Sequence, residues 1–588
     1  VASLDADQKA AGAELSAAKQ RLLEQRLRGA ARSAPPGIPA RPPGSAPPLS
    51  AAQERLWFME QFAPGTAAYG VPLLIRLGPD ADLAALAGAL RWVTARHESL
   101  RMRFPVTADG QPAVVVGPPA DVPLPVIDVP DAAAAQAAVD QAARRPFDLA
   151  AGPLLRALVV RVAGGAEHDL LVDMHHIVTD GWSNDIILAE LGRCYCALVR
   201  NEPLPAAPDP VQYGDFAAWQ REELSAPPAT RHLAYWLDRL AGVPALELPT
   251  DAPRPPTQTF GGASHWFGLA PDLTDALSRL GRGRHATLFM ILLAGYQVVL
   301  SRYSGQDRFA VGTPVAGRSR PELDGTVGMF VNMLPLRADL GGEPAADELI
   351  GRVRDEVLDA LAHADVPFEK VINELGVPRD VSRPALFQAM IVLQNYELRD
   401  AAHAARPDTE LRWKPVELPA TRFDLELHAY PLDGGLQCRF VYNTALFTEA
   451  TAARLAGALR AVLAALAATP RARLAELTAL PPDQAALLAR WNTTAVPVKK
   501  DLTLPLLFAE QVTRTPQATA VADERVQLSY AELELAARRI AGELARRGAG
   551  PESVVAVLAQ RSADLVTALL GVLQAGAAYL PLDPEYPA

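Results

Sequence analysis

The ten residues from Met174 to Ser183 read MHHIVTDGWS, which puts two adjacent histidines four and five residues ahead of an Asp-Gly pair. Only ten histidines occur in the chain, so the doublet concentrates the one side chain that titrates near neutrality. A neutral imidazole can accept a proton during a reaction. Gly181 permits a sharp backbone turn, and a helix starting there offers unpaired N–H groups to a developing negative charge. One imidazole, one Asp and a set of backbone donors suit acyl transfer. The spacing is not that of a serine triad, and no GxSxG elbow occurs. A metal site is a weak reading, because adjacent strand histidines diverge and no HExxH is present. A histidine on an apolar strand can also be an ordinary core residue, so the surrounding elements matter.

HDLLVDMHH reads as a strand. Leu170, Val172, Met174 and His176 then share one face, while Leu171, Asp173 and His175 share the other. On that reading the two imidazoles point in opposite directions, one toward a cavity and one into the fold. The run from Ser183 to about Arg200 reads as a helix. Upstream, PLSAAQERLWFMEQF restarts helical periodicity with Ser50 as its N-cap. AYGVPLLIRL reads as a strand, and LAALAGALRWVTARHESLRMRF as a long helix ending in a basic turn. A second block follows PTDAPRPP (Pro249–Pro256), with a helix and strand in HATLFMILLAGYQVVLSRYSGQDRFAVGTPV. Strands recur at AMIVLQNYEL, RFDLELHAYPL and LQCRFVYN, and an Ala/Leu helix closes the block near Leu466. The texture is α+β in two lobes.

The chain opens with AGAELSAAKQRLLEQRLRG, an amphipathic helix by pattern, and a Pro/Gly spacer from Ala34 to Pro48. From about Leu487 the pattern becomes linker, helix, β-hairpin, helix, and the chain stops in what reads as the middle of a larger α/β domain.

At 588 residues the chain is too long for one hydrophobic core. Its net charge of −11 argues against a nucleic-acid partner, which needs excess Lys and Arg. Cys194, Cys196 and Cys438 make neither a zinc spacing nor a disulfide framework, which fits a reducing interior. No secretory signal opens the sequence, and its longest apolar run, Leu288–Leu300, is too short to span a bilayer. A cytoplasmic protein without a membrane partner or a bound metal is expected.

HHIVTDGW resembles the HHxxxDG signature of nonribosomal peptide synthetase condensation domains, and six further segments resemble that family's other motifs in order. They are LSAAQERLWF (Leu49–Phe58), RHESLRMRF (Arg96–Phe104), YGDFAAW (Tyr213–Trp219), VGMFVNMLPLR (Val327–Arg337), HADVPFEK (His363–Lys370) and RDVSRPALFQ (Arg379–Gln388). The likeness covers about Pro48 to Leu480. LSYAEL (Leu528–Leu533) and LQAGAAYLPLDPEYP (Leu573–Pro587) resemble the first two motifs of an adenylation domain.

The resemblance implies two chloramphenicol-acetyltransferase-like lobes in a V-shaped pseudo-dimer, then a partial α/β adenylation segment. The implied divisions are an N-terminal helix and Pro-rich linker (1–47), a first lobe (48–225), a second lobe (226–482), a linker (483–503) and an adenylation segment (504–588). It implies peptide bond formation, in which the amine of a downstream aminoacyl thioester attacks an upstream peptidyl or aminoacyl thioester. An upstream donor carrier domain and a downstream acceptor carrier domain would present these on 4'-phosphopantetheine, beside an adjoining adenylation domain.

By the same resemblance His176 faces the tunnel, either as a base or as a positioning group. Gly181 offers a backbone N–H to the oxyanion or thioester. His175 packs into the fold, and Asp180 pairs with an Arg, for which Arg318 is the candidate. Met174, Trp182, Ser183 and Asn332 are expected to border the substrate tunnel. Ser50, Gln53, Arg55 and Trp57 are read as structural. The motifs look most like the subtype joining an L-donor to an L-acceptor. An epimerising homologue and a non-catalytic recruitment platform remain as alternatives, whereas a heterocyclising domain would carry Asp in place of the first His.

Overall fold

The structure, a computed structural model, describes residues 37–585 except 43, 166–167, 206–209, 378–379, 395–411, 415, 417, 433, 478–479 and 498–500. The expected N-terminal helix lies outside the described residues, as do Arg379 and the end of AMIVLQNYEL. The chain divides into two compact units, up to Ala485 and from Ala486 onward.

The first unit holds two sheets. One has five strands in the order Arg412–Lys414, Gly70–Leu77, His168–His175, Leu155–Val162, Val126–Val129. The histidine strand is central and antiparallel to both neighbours, with Gly70 opposite His175 and Leu155 opposite Met174. Both faces are covered. Helices Leu83–Arg96 and Gly181–Val199 share a core with Leu170, Val172 and Met174. On the other face Leu74, Val160 and Leu171 meet Ala135 and Val139 of helix Ala132–Ala143. Arg412–Lys414 crosses from the second sequence block to pair with Gly70–Leu77.

The second sheet has six strands, ordered Gly262–Leu269, Gly435–Asn443, Leu425–Leu432, Ala389–Leu393, Arg308–Val315, Asn332–Asp339. Its core includes Leu425, Leu427, Ala429, Cys438 and Phe440, together with helices Leu288–Ser304 and Glu449–Ala468. Met290 to Leu300 are buried without interruption, as an all-round apolar sequence requires. By period-2 alternation Glu426, His428 and Tyr430 face away from that core. One described helix, Glu449–Ala468, is long and apolar enough to cross a membrane. Leu455, Leu459, Val462, Leu463 and Leu466 bury it in this core.

The lobes interlock. Leu323, Val327, Met329 and Phe330 of the second sequence block belong to the first lobe's core. Gly328 makes this possible, because a Cβ there would come within 1.9 Å of the Tyr213 ring.

Two expectations need correction. The helix expected to run on from Leu83 stops at Arg96. His97 turns extended and bonds Glu190, while buried Glu98 takes Gly214 N–H and the Arg41 guanidinium. Tertiary partners thus override local helix propensity. The expected linker 483–503 begins as helix, Pro482–Trp491.

The second unit carries helix Leu504–Arg514, the hairpin Thr519–Ala522/Gln527–Ser529 and helix Tyr530–Arg546, whose N-terminus Ser529 and Glu532 close as a capping box. Val554–Leu558 and Ala578–Leu582 then pair in parallel across helix Ala563–Gln574, a βαβ unit.

Candidate active site

The strand ends at His175, and His176 opens a single 3-10 turn, His176–Val178. The two histidines therefore do not alternate on one strand as expected. Their difference comes from a change of backbone. The His176 N–H donates to the Tyr69 carbonyl (2.8 Å), which ends the ladder with the neighbouring strand.

His175 has both ring nitrogens engaged. Nδ1 accepts the Ile177 N–H (3.1 Å), so Nε2 carries the proton and donates to Glu60 Oε1 at 3.1 Å. Its ring is buried against Phe147, edge-on at 5.8 Å. His176 Nδ1 lies 2.8 Å from the Thr179 carbonyl oxygen. A carbonyl only accepts, so Nδ1 is the protonated nitrogen and the neutral ring keeps a lone pair on Nε2. Among the described residues Nε2 has no partner, and the side chain is half-buried. Burial first, and the positive charge of Arg422 second, push the His176 pKa down to about 3.

Asp180 caps the following helix, accepting Ser183 N–H at 2.8 Å on Oδ1. Oδ2 accepts Phe330 N–H at 2.9 Å, tying the turn to the inserted segment of the second block. Arg318 lies beside it, with Nη2 3.5 Å from Oδ1 and 2.9 Å from Ser183 Oγ. Arg318 also donates to the carbonyls of Leu323 and Thr326 and stacks on Phe330 at 4.0 Å. The pair is almost solvent-free, its side chains being 2% and 0% exposed. Gly181 is the first helical residue, so its N–H has no acceptor within the helix.

Other expected residues fall elsewhere. Met174 is fully buried in the first lobe's core and borders no tunnel, because strand alternation points it at the helices. Ser183 is equally buried, spanning Gly328 and Arg318 through its hydroxyl. Trp182 is exposed and its indole donates to the Asp324 carbonyl. Asn332 lines a small cavity with Phe216, Trp219, Phe330 and Glu369. Its amide offers nothing to a ligand: Nδ2 donates to the carbonyls of Ala364 and Val366, and Oδ1 accepts N–H from Met333 and Phe368.

Some contributors were not read from the sequence as parts of the site. Gln53, buried in the first helix, donates to the Ile177 carbonyl (3.2 Å) and props the histidine turn. Ser50 caps that helix in a box with Gln53 and bonds Tyr213 Oη at 2.7 Å. Glu60 came without a sequence signal beyond its place on the same helix, and Arg422 sits in a stretch read only as strand. Among the described residues no cluster of His, Cys, Asp and Glu is disposed to hold a metal.

Residues 45–489 match the family model described as condensation domain. The chain belongs to the condensation-domain family. Residues 508–588 match that of AMP-binding enzymes. Chondramide synthase of Chondromyces crocatus is 38% identical over 92% of this chain, which corresponds to 14% of that protein. Phosphinothricin tripeptide synthetase PhsC of Streptomyces viridochromogenes is 38% identical over 98% of this chain and 54% of its own length. The chain thus spans only part of these relatives. It is a condensation domain of nonribosomal peptide synthetase type, followed by a segment of AMP-binding type.

Among solved structures, a four-domain nonribosomal peptide synthetase bound to AMP and glycine superposes with a TM-score of 0.80 at 24% identity, covering 92% of this chain and 42% of that one. The X-domain from teicoplanin biosynthesis gives 0.70 at 27% identity over 75% of this chain and all of that one. The first condensation domain of the calcium-dependent antibiotic synthetase, in complex with a substrate analogue, gives 0.63 at 24% over 74% and 99%. These place the condensation domain's fold among known condensation-type structures.

Proposed function

We propose that this condensation domain joins an upstream acyl thioester to the amine of a downstream aminoacyl thioester, with His176 Nε2 receiving that amine. The observation that carries the reading is the 2.8 Å contact from His176 Nδ1 to the Thr179 carbonyl, which fixes the tautomer and leaves the Nε2 lone pair without a partner among the described residues. The attacking amine must be neutral, whereas a free α-ammonium has a pKa near ~8. A nitrogen that binds a proton only below about 3 is a poor base toward a free ammonium. It is well suited to accept a hydrogen bond from the neutral amine and to aim its lone pair at the carbonyl carbon. Positioning is therefore the role assigned to His176, and Gly181 N–H supplies a donor to the oxygen that becomes negative.

The substrates arrive on donor and acceptor carrier domains through their 4'-phosphopantetheine arms. The motif residues favour an L-configured donor and acceptor. A second reading, a recruitment platform without catalysis, draws support from the likeness to an X-domain, a protein that has also been solved in complex with OxyB.

The test loads an upstream carrier with an L-peptidyl thioester and a downstream carrier with an aminoacyl thioester, then follows both by intact-protein mass spectrometry. Mass moving from donor to acceptor is expected. Carrier binding without transfer across several substrate pairs would favour the platform.

A further inference from the structure

Helix Ala51–Phe62 buries Gln53, Leu56 and Glu60 along one stripe. A stripe that faces a core is normally apolar, yet two of these side chains are polar, and buried polar groups need partners. Both are directed to the same residue. Gln53 Nε2 donates to the Ile177 carbonyl at 3.2 Å. Glu60 Oε1 accepts from His175 Nε2 at 3.1 Å, and His175 Nδ1 in turn accepts the Ile177 N–H at 3.1 Å. Seven residues make two helical turns, about 10 Å along the axis. One helix therefore answers both the N–H and the C=O of the residue that follows His176.

Ile177 is the middle residue of the 3-10 turn His176–Val178, and His175 is the N-cap of that turn. The cap works in one tautomer only. With its proton on Nε2 the imidazole presents a lone pair at Nδ1. With the proton on Nδ1 it would set a donor against the Ile177 N–H, and a buried donor left unpaired is costly. The Phe147 and Tyr69 rings that flank His175, with centroids at 5.8 and 6.2 Å, give it shape and no proton preference. Glu60 supplies the preference, because an ionised carboxylate only accepts.

The same turn sets His176. Its N–H donates to the Tyr69 carbonyl (2.8 Å), its own carbonyl accepts the Thr179 N–H (3.4 Å), and its Nδ1 donates to the Thr179 carbonyl (2.8 Å). We propose that Glu60 is a positioning residue for amide formation: it holds His175 in the Nε2–H tautomer, which caps the turn and so keeps His176 Nδ1 on the Thr179 carbonyl and its Nε2 available to the amine. This rests on the role given to His176 above. Glu60 touches no reacting atom and acts through His175 alone. A displacement of about 1 Å at such a site is enough to cost about 10²-fold in rate.

The experiment uses the full chain with ¹⁵N-labelled histidine. It reads the imidazole tautomers by NMR, and single-turnover transfer between loaded carriers, for wild type, Glu60→Gln and Glu60→Leu. In wild type His175 should carry its proton on Nε2 and His176 on Nδ1. Glu60→Leu leaves the His175 Nε2–H without its acceptor, so both rings should become tautomer mixtures in the folded protein. Its transfer should fall about 10²-fold with carrier binding unchanged. Glu60→Gln keeps an accepting oxygen, so it should keep both tautomers and recover most of the rate. A carboxylate that only stabilised the fold would lower the folded fraction of Glu60→Leu and leave the tautomers of its folded molecules as in wild type. That outcome overturns the proposal. So does a wild-type His175 protonated on Nδ1, a folded Glu60→Leu that transfers within twofold of wild type, or a Glu60→Gln as slow as Glu60→Leu. If Glu60→Leu does not fold, Glu60→Asp, which draws the acceptor back by one methylene, takes its place under the same criteria. A wild type that transfers nothing would retire the amide-forming reading. The tautomers would then decide alone: a change in His176 on losing the Glu60 acceptor upholds the control of the turn, and no change overturns it.

Discussion

His176 in the first lobe and His428 in the second are two imidazoles in one molecule, both pushed down chiefly by burial; the charge of Arg422 adds to this at His176, and the charges of Arg439 and then Arg422 add to it at His428 against the opposing bond to Glu426. They differ in which nitrogen is left over. His428 spends Nε2 on Glu426, and its Nδ1 is buried without a partner among the described residues. His176 spends Nδ1 on a backbone carbonyl and leaves Nε2 at a half-buried position. His428 also holds a carboxylate whose pKa sits at about 2. Burial works against that ionisation, and the His428 bond and charge outweigh it. His176 holds no charged group. A histidine's function here follows from the second partner it lacks and from whether that nitrogen can be reached, more than from burial or pKa.

The division can be broken in a graded way. The largest expected effect lies beneath His176. Asp180→Ala strands the buried Arg318 and removes the acceptor for Ser183 and Phe330 N–H, and should cost about 3–5 kcal/mol in urea unfolding. Its transfer activity should fall with its folded fraction. His428→Ala comes next. It leaves Glu426 short of a buried donor, an expected loss of about 1–3 kcal/mol, and His428→Gln should restore most of it by supplying a side-chain N–H. Per folded molecule, transfer by His428→Gln should stay within a few-fold of wild type. If it falls as far as in a His176 variant, the contrast between the two imidazoles fails.

The smallest effect is in pH. Folded His176 binds a proton only below about 3, whereas in the unfolded chain it does so near ~6.5. In that window the unfolded state holds more protons, so this residue's contribution to stability is intact above ~6.5 and declines as pH falls. The stability of His176→Gln relative to wild type should be constant from pH 8 to 7 and should rise from pH 6 to 5, read from paired denaturation curves. A flat difference across the whole range would mean that the ring is not held neutral.

Much of this site was legible as residue types and spacing. The doublet followed by Asp-Gly, the Ser50 cap and Arg318 as a candidate partner of Asp180 can all be named from the sequence. Each rests on local geometry: a strand end, a helix N-terminus, a short motif. The faces of the two histidines were not legible, because alternation holds only while the strand continues, and it stops at the Tyr69–His176 hydrogen bond. Met174, Ser183 and Asn332 resemble tunnel residues in sequence yet are used up by core packing or backbone hydrogen bonds that cross the chain. The strand Arg412–Lys414 and the contacts of Gln53 and Glu60 are pairings across roughly a hundred residues or more, which no periodicity encodes. Helix Leu83–Arg96 ends early for the same reason, since buried Glu98 answers to Gly214 and Arg41.

The most direct measurement is the single-turnover transfer rate of His176→Ala between a peptidyl-loaded donor carrier and an aminoacyl-loaded acceptor carrier, beside circular dichroism and carrier affinity. Losing His176 removes one hydrogen bond to a carbonyl and strands no charge, so the fold and carrier binding should persist. Transfer should drop by about 10²-fold or more, the scale of a lost positioning contact. A folded, carrier-binding His176→Ala protein that transfers at the wild-type rate would contradict the assignment of Nε2 to the attacking amine.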